Sequence, residues 1–144
     1  MKNQYNLPCN IAQTLNIIGD KWSLLIVHEI TIGNCTFKDI EKNLVGISTN
    51  VLASRLKSLE QDNIIKSELY QRHPPRFKYK LTESGEDFKY IFNSIILWGE
   101  KHLDKCYKRL THNECGHSVT EKYFCDHCNK IIETADIIVT PVEE

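Results

Sequence analysis

The spacing of apolar residues along the chain predicts helices first and a hairpin later. Ile11-Ala12-Gln13-Thr14-Leu15-Asn16-Ile17-Ile18 has helical spacing and stops at Gly19, a good helix-ending residue. Asp20 can cap a second helix, in which Trp22, Leu25, Ile26, Glu29 and Ile30 recur at three and four, ending near Gly33-Asn34. Thr36-Phe37-Lys38-Asp39 reads as a capping-box variant opening a short helix with Phe37, Ile40 and Leu44 inward. Gly46 breaks that helix and Ser48 starts the next, which runs to about Asp62. In it Leu52, Leu56 and Leu59 fall within about 60° of one another at 100° per residue, so this stripe faces the core. The opposite face carries Asn50, Ser54 and Lys57, with Ala53 beside them and no carboxylate until Glu60. A merely solvated helix face usually mixes both signs of charge.

The period then changes to two. Ile64 to Tyr70 and Arg76 to Leu81 read as strands, the second alternating Phe77, Tyr79 and Leu81 with Arg76, Lys78 and Lys80. Gln71-Arg72-His73-Pro74-Pro75 between them is a stiff, cationic hairpin tip. Thr82 caps one following helix, whose apolar residues Phe88, Ile91, Phe92, Ile95, Ile96, Trp98 and Leu103 cover more than one stripe. Such a surface needs a second partner. A second copy of the chain is the favoured one, and a tail folded back over the helix is the alternative.

The 144 residues allow one ordinary domain with a small appendage, and 41% hydrophobic with 26% charged residues is a soluble, globular balance. The runs Leu24-Leu25-Ile26-Val27 and Ile95-Ile96-Leu97-Trp98 fall far short of the roughly 20 residues that cross a bilayer. The first residues lack a secretion signal's apolar core, so a cytoplasmic protein with no membrane partner is expected. The net charge of −1 hides an asymmetry: residues 38–80 hold nine Lys and Arg against five Asp and Glu, so the remainder carries −5. A polyanion would dock on that middle segment.

Helix, turn, helix and basic hairpin is the order of a winged helix-turn-helix. A helix fits the major groove of double-stranded DNA, and a narrow hairpin tip reaches the adjacent minor groove or backbone. Asn50 suits adenine, Ala53 a thymine methyl, and Ser54 can donate or accept. Arg55, Lys57, Arg72, Arg76 and Lys78 suit phosphate, or for the hairpin arginines the minor groove. Ser48 and Thr49 sit at the helix start, where free N–H groups favour phosphate. In the competing reading Arg55 pairs with Glu60 or Asp39, and Asn50 only stabilises the helix start.

The segments Cys9-Asn10-Ile11 through Trp22, Thr36 to Ile40, Gly46-Ile47-Ser48, Val51 to Glu60, Pro74 to Gly85 and Trp98-Gly99 together resemble the HxlR-type family of bacterial winged-helix regulators, over about residues 9–103. The resemblance implies a homodimer built on the N-terminal and post-wing helices. It also implies a transcriptional switch, often a repressor, with the helix at 48–62 reading the operator and the hairpin at 66–80 as wing. In some relatives the early cysteine senses oxidants, which carries that role to Cys9; simple packing is the other reading, and Cys35 and Cys106 read as structural. Here Pro8 precedes Cys9 and Asn10 follows it, whereas family members often have proline directly after the cysteine.

The chain also continues well beyond the long helix. His112 and Cys115, then Cys125 and Cys128, form two pairs at x-x spacing, each followed by a residue tolerant of positive φ, Gly116 or Asn129. One His and three Cys predict a miniature zinc ribbon with one structural zinc, a hairpin between Cys115 and Cys125, and Val119, Tyr123 and Phe124 packed beneath. His117 can replace His112, His127 also competes, and the alternative is a disordered tail with free thiols. Ile131-Ile132-Glu133 and Ile137 to Thr140 read as strand-like.

The expected fold is therefore mainly α with a small β hairpin: a winged helix-turn-helix with a long dimerisation helix over residues 9–110, and a zinc-ribbon-like extension over 111–144. A regulator binding a palindromic operator is the leading function. A protein-interaction module of the transcription machinery is the alternative. An enzyme is disfavoured, since the sequence has no His-Glu-x-x-His run, no nucleophile with a paired base and no Gly-rich phosphate loop.

Overall fold

A computed structural model describes residues 4–142. Helices α1 (Asn10–Ile18), α2 (Ser23–Thr31), α3 (Phe37–Asn43) and α4 (Thr49–Gln61) precede a hairpin of β1 (Ile65–Arg72) and β2 (Pro75–Leu81). Then come α5 (Glu83–Glu86), α6 (Phe88–His102) and a short hairpin of β3 (Tyr123–Cys125) and β4 (Lys130–Ile132). By contacts the chain divides after Phe92, within α6, into two units.

Side chains at predicted positions start α2, α3 and α4. Asp20 Oδ1 accepts from the N–H groups of Trp22 and Ser23, both at 3.0 Å, and so caps α2. Thr36 Oγ1 accepts from Asp39 N–H, and Ser48 Oγ from Val51 N–H. Gly46, at φ +94°, makes the turn between α3 and α4, a conformation that a side chain would strain.

The core gathers Ile26, Val27 and Ile30 from α2, Ile40 from α3, and Leu52, Leu56 and Leu59 from α4, with Leu44, Ile47, Ile64, Ile65, Phe88 and Phe92. The predicted leucine stripe is what α4 buries. On α2 the pattern misleads at one position. Leu25 is exposed, and Val27 is fully buried in its place.

The hairpin is antiparallel, with Ile65 opposite Leu81 and Arg72 opposite Pro75, and its register shifts between Leu69 and Gln71. A third segment ties it down: Thr36 bridges Lys78, and Tyr79 N–H donates to the Cys35 carbonyl at 2.8 Å. Glu60 links it to α4, accepting from Ser67 N–H at 2.9 Å and Ser67 Oγ at 2.6 Å.

The single helix expected after Thr82 is two. Thr82 caps α5 through Gly85 N–H, and Asp87 separates α5 from α6. Gly85 is buried, and a Cβ there would lie 2.2 Å from the Ile64 carbonyl oxygen, so only glycine lets α5 approach the start of β1 this closely.

In the second unit Ile137 to Thr140 form no strand; a 3-10 turn at Thr134–Asp136 precedes them and Val139 is exposed. The tail's hairpin spans Cys125, which ends β3, instead of lying between Cys115 and Cys125. Val119, Tyr123 and Phe124, expected beneath it, are exposed. Cys106 lies beyond the end of α6 and not on a helix.

Leu52 has no solvent exposure at all. Leu52→Ala should therefore lower the free energy of unfolding by about 2–5 kcal/mol, read from urea titrations. A loss below about 1 kcal/mol would mean that the stripe is not the core contact described.

Candidate nucleic-acid interface

Burial of the leucine stripe turns the other side of α4 outward. Asn50, Ala53, Ser54 and Lys57 are all exposed on it. Among the described residues no ion pair engages Lys57, Arg72 or Arg76. The face carries one charge, amide and hydroxyl groups, and a methyl, which is a set able to meet base edges and phosphate.

The helix start is less open than its position suggests. Ser48 Oγ caps Val51 N–H, and Thr49 Oγ1 donates to Glu41 Oε1 at 2.7 Å. Glu41 thus brings a carboxylate to the place where a phosphate was expected, and the hydroxyl of Thr49 is engaged within the fold.

Arg55 also departs from expectation. It lies away from the polar face, half-buried, with Nε 3.4 Å from Asp20 Oδ1 and without hydrogen-bond geometry. Its partner is neither Glu60 nor Asp39. Its charge is thus engaged beside the α2 cap, off the outward polar face on which a phosphate contact was expected. Burial alone would raise the pKa of Asp20. The Ser23 hydroxyl, the N–H groups of Trp22 and Ser23 and the Arg55 charge outweigh burial and leave it lowered. The sequence offered no local signal for this pair.

On the wing, Arg72, Arg76 and Lys78 are exposed as expected, and the ammonium of Lys78 lies 5.4 Å from the centre of the Tyr70 ring. Lys80 is paired with Glu68 at 2.7 Å, and that hydrogen bond, ahead of the Lys80 and Lys66 charges, lowers the Glu68 pKa. Tyr79 is half-buried, and burial followed by the Glu60 charge raises its pKa. Between wing and α3 lies an open cleft of about 300 Å³, lined by Thr36, Phe37, Tyr70, Arg76, Phe77 and Tyr79 among others.

Cys9 is exposed at the start of α1 and its side chain makes no capping hydrogen bond. Cys35 is half-buried where the third segment meets the wing.

In the tail, His112 Nδ1 and Cys115 Sγ are 3.3 Å apart, and Cys128 N–H donates to Cys125 Sγ at 3.5 Å. That N–H, followed by the Cys128 thiol, lowers the Cys125 pKa. The two pairs stay separate: among the described residues no three His, Cys, Asp or Glu side chains converge closely enough to hold a metal ion.

A family model described as HxlR-like helix-turn-helix matches residues 17–107. The chain belongs to this family and is a transcriptional regulator of the winged-helix type. The HTH-type transcriptional regulator Mb3122 of Mycobacterium bovis is 29% identical over 92% of this chain and 85% of its own. The crystal structure of PA1607 superposes with a TM-score of 0.77 at 27% identity, covering 94% of this chain and 96% of that one. HypR, a redox regulator in its reduced form, gives 0.62 at 30% identity, covering 67% of this chain and 95% of its own. The likeness to HypR thus spans about two-thirds of this chain, and that to PA1607 nearly all of it. No helix among the described residues is long and apolar enough to cross a membrane.

Because the folded pKa of Asp20 is lowered, its charge stabilises the fold above the unfolded value of about 3.9, and that contribution is lost as pH falls through the folded value. Asp20→Asn keeps an acceptor but not the charge. It should be less stable than the parent at neutral pH, with the deficit closing in acid when urea midpoints are compared. A deficit that persists undiminished in acid would assign it to something other than the carboxylate.

Proposed function

We propose that the chain is a sequence-specific repressor that binds a palindromic operator in double-stranded DNA as a homodimer. The observation that carries this reading is the exposed side of α4, free of carboxylates across Asn50, Ala53, Ser54 and Lys57, in the same compact unit as a wing bearing exposed Arg72, Arg76 and Lys78. In this reading α4 enters the major groove and reads bases through Asn50, Ala53 and Ser54. Lys57 and the wing cations hold phosphates, and the wing arginines reach the minor groove. Ser48 contributes through its hydroxyl hydrogen, and Thr49 only if Glu41 yields its place.

The dimer reading is supported by apolar side chains left in solvent on both helices that the family resemblance names. Leu7, Ile11 and Leu15 are exposed on and just before α1, and Ile95, Trp98 and Leu103 on and just after α6. Exposed apolar residues of this size call for a covering partner, and a two-fold dimer supplies a palindromic readout. Thiol control through the exposed Cys9 is a further part of the reading, prompted by HypR, a redox regulator of the same fold.

Selection of bound duplexes from a random pool tests the proposal. It should return inverted repeats, and retention of no sequence above background would refute it. Repeating the selection with an oxidant, on the parent and on Cys9→Ser, tests the thiol; an unchanged outcome in both removes Cys9 from regulation. Asn50→Ala should lose about 1–3 kcal/mol of discrimination at one operator position, measured by competition between operator variants. An equal loss on every sequence would take Asn50 off the bases. Arg76→Ala should weaken binding and reduce the salt slope by about 1, and an unchanged slope would take Arg76 off the phosphates.

A further inference from the structure

After Phe92 the described chain has no buried residue, and from Thr111 onward only Cys125 and Ile132 are even half-buried. Apolar burial therefore does not explain why this segment has shape. Yet it holds two well-defined turns. In the first, Thr111 bridges Ser118, His112 N–H donates to the His117 carbonyl, and Gly116 N–H donates to the His112 carbonyl, both at 2.8 Å. Gly116, at φ +71°, closes it. The outcome is a contact of 3.3 Å between His112 Nδ1 and Cys115 Sγ. In the second, β3 and β4 pair Cys125 with Lys130, Asn129 stands at φ +52°, and Cys128 N–H points at Cys125 Sγ.

Both turns thus do the same thing by different backbone routes. Each brings two soft donors at x-x spacing onto one turn, and the second aims an N–H at a sulfur, which stabilises a metal-bound thiolate. We propose that His112, Cys115, Cys125 and Cys128 bind one structural zinc ion, each pair supplying half of a tetrahedral set of one nitrogen and three sulfurs. Three thiols release their protons to solvent as three Zn–S bonds form, and neutral His112 supplies the fourth bond. Four protein ligands leave no coordination position for water, so the ion holds the chain together and has no catalytic part.

The halves are formed but not joined, since the described residues hold no ready group of three donors. Zinc is then the element that joins them, and binding it is coupled to ordering of the extension. His127 stands beside the second half, its Nδ1 3.9 Å from Cys128 Sγ on the adjacent residue. The proposal is independent of the DNA reading, because every ligand lies outside the unit that carries α4 and the wing.

The test uses the full chain. Protein purified without chelator should carry about one zinc per chain, and replacement by cobalt(II) should give the visible absorption of a tetrahedral thiolate site. Cys115→Ser, the double variant Cys125→Ser/Cys128→Ser, and His112→Ala should each lose the stoichiometric metal. Cys35→Ser, Cys106→Ser and His117→Ala should retain it. Far-UV circular dichroism and DNA binding of each variant show whether the winged helix still folds, so loss of metal is read on a folded protein. Chain that stays metal-free in added zinc, with the thiols of Cys115, Cys125 and Cys128 all reactive, would overturn the proposal. So would metal retained by the Cys125/Cys128 double variant, or bound iron in place of zinc. Metal lost with His117→Ala and kept with His112→Ala would overturn the ligand assignment.

Discussion

Three leucines on α4 have to be dry, and the face that this helix shows to solvent follows from that requirement. Leu52, Leu56 and Leu59 sit in the core with Ile26, Val27 and Ile30 from α2 and Ile40 from α3. Burying each such side chain contributes roughly 1.5–3 kcal/mol, far more than any single surface contact on the opposite face. Rotating α4 about its axis to present another face would put leucine in water. Asn50, Ala53, Ser54 and Lys57 are therefore held outward by packing that they take no part in. Side chains that meet a nucleic acid need only be compatible with solvent, because their direction is set from behind.

The wing is placed by a second group of contacts that all return to α4 or its neighbours. Glu60 takes both the N–H and the hydroxyl of Ser67, Tyr79 N–H reaches the Cys35 carbonyl, and Gly85 lets α5 close on Ile64. The same Glu60 that ends the carboxylate-free stretch of α4 is thus a brace between helix and wing. Its carboxylate is engaged by the Ser67 N–H and hydroxyl of the hairpin.

Features with a local or periodic cause were legible in the sequence. The leucine stripe follows from spacing, the caps at Thr36, Ser48 and Thr82 from side-chain hydrogen bonding to nearby N–H groups, and the turn at Gly46 from backbone freedom. What escaped was set by tertiary contact. Arg55 finds Asp20, far away in sequence, where nearer carboxylates looked better placed. Leu25 and Val27 exchange roles because both fit helical periodicity and only the position of the neighbours decides between them. The break at Asp87 and the close approach of Gly85 to Ile64 are likewise features that no local pattern announces. In the tail the x-x spacing pointed to the two paired turns, but the hairpin spans Cys125 because the second turn itself joins its strands.

The distribution of charge also divides the labour within the candidate interface. On α4 only Lys57 of the outward face is cationic, and the helix start is occupied by the contact between Thr49 and Glu41. On the proposed function, a helix so nearly neutral would gain little from phosphates and suits discrimination between bases, where hydrogen-bond pattern and not net charge decides. The wing is built the other way. Glu68 neutralises Lys80 near its base, while Arg72, Arg76 and Lys78 are exposed without an ion pair among the described residues. In the proposed reading, long-range attraction acts through the tip and specificity through the helix. Glu60 ties the wing directly to α4 and Tyr79 ties it to the segment before α3, so in the proposed reading a phosphate held by the wing would fix where along the groove Asn50 and Ser54 come to lie.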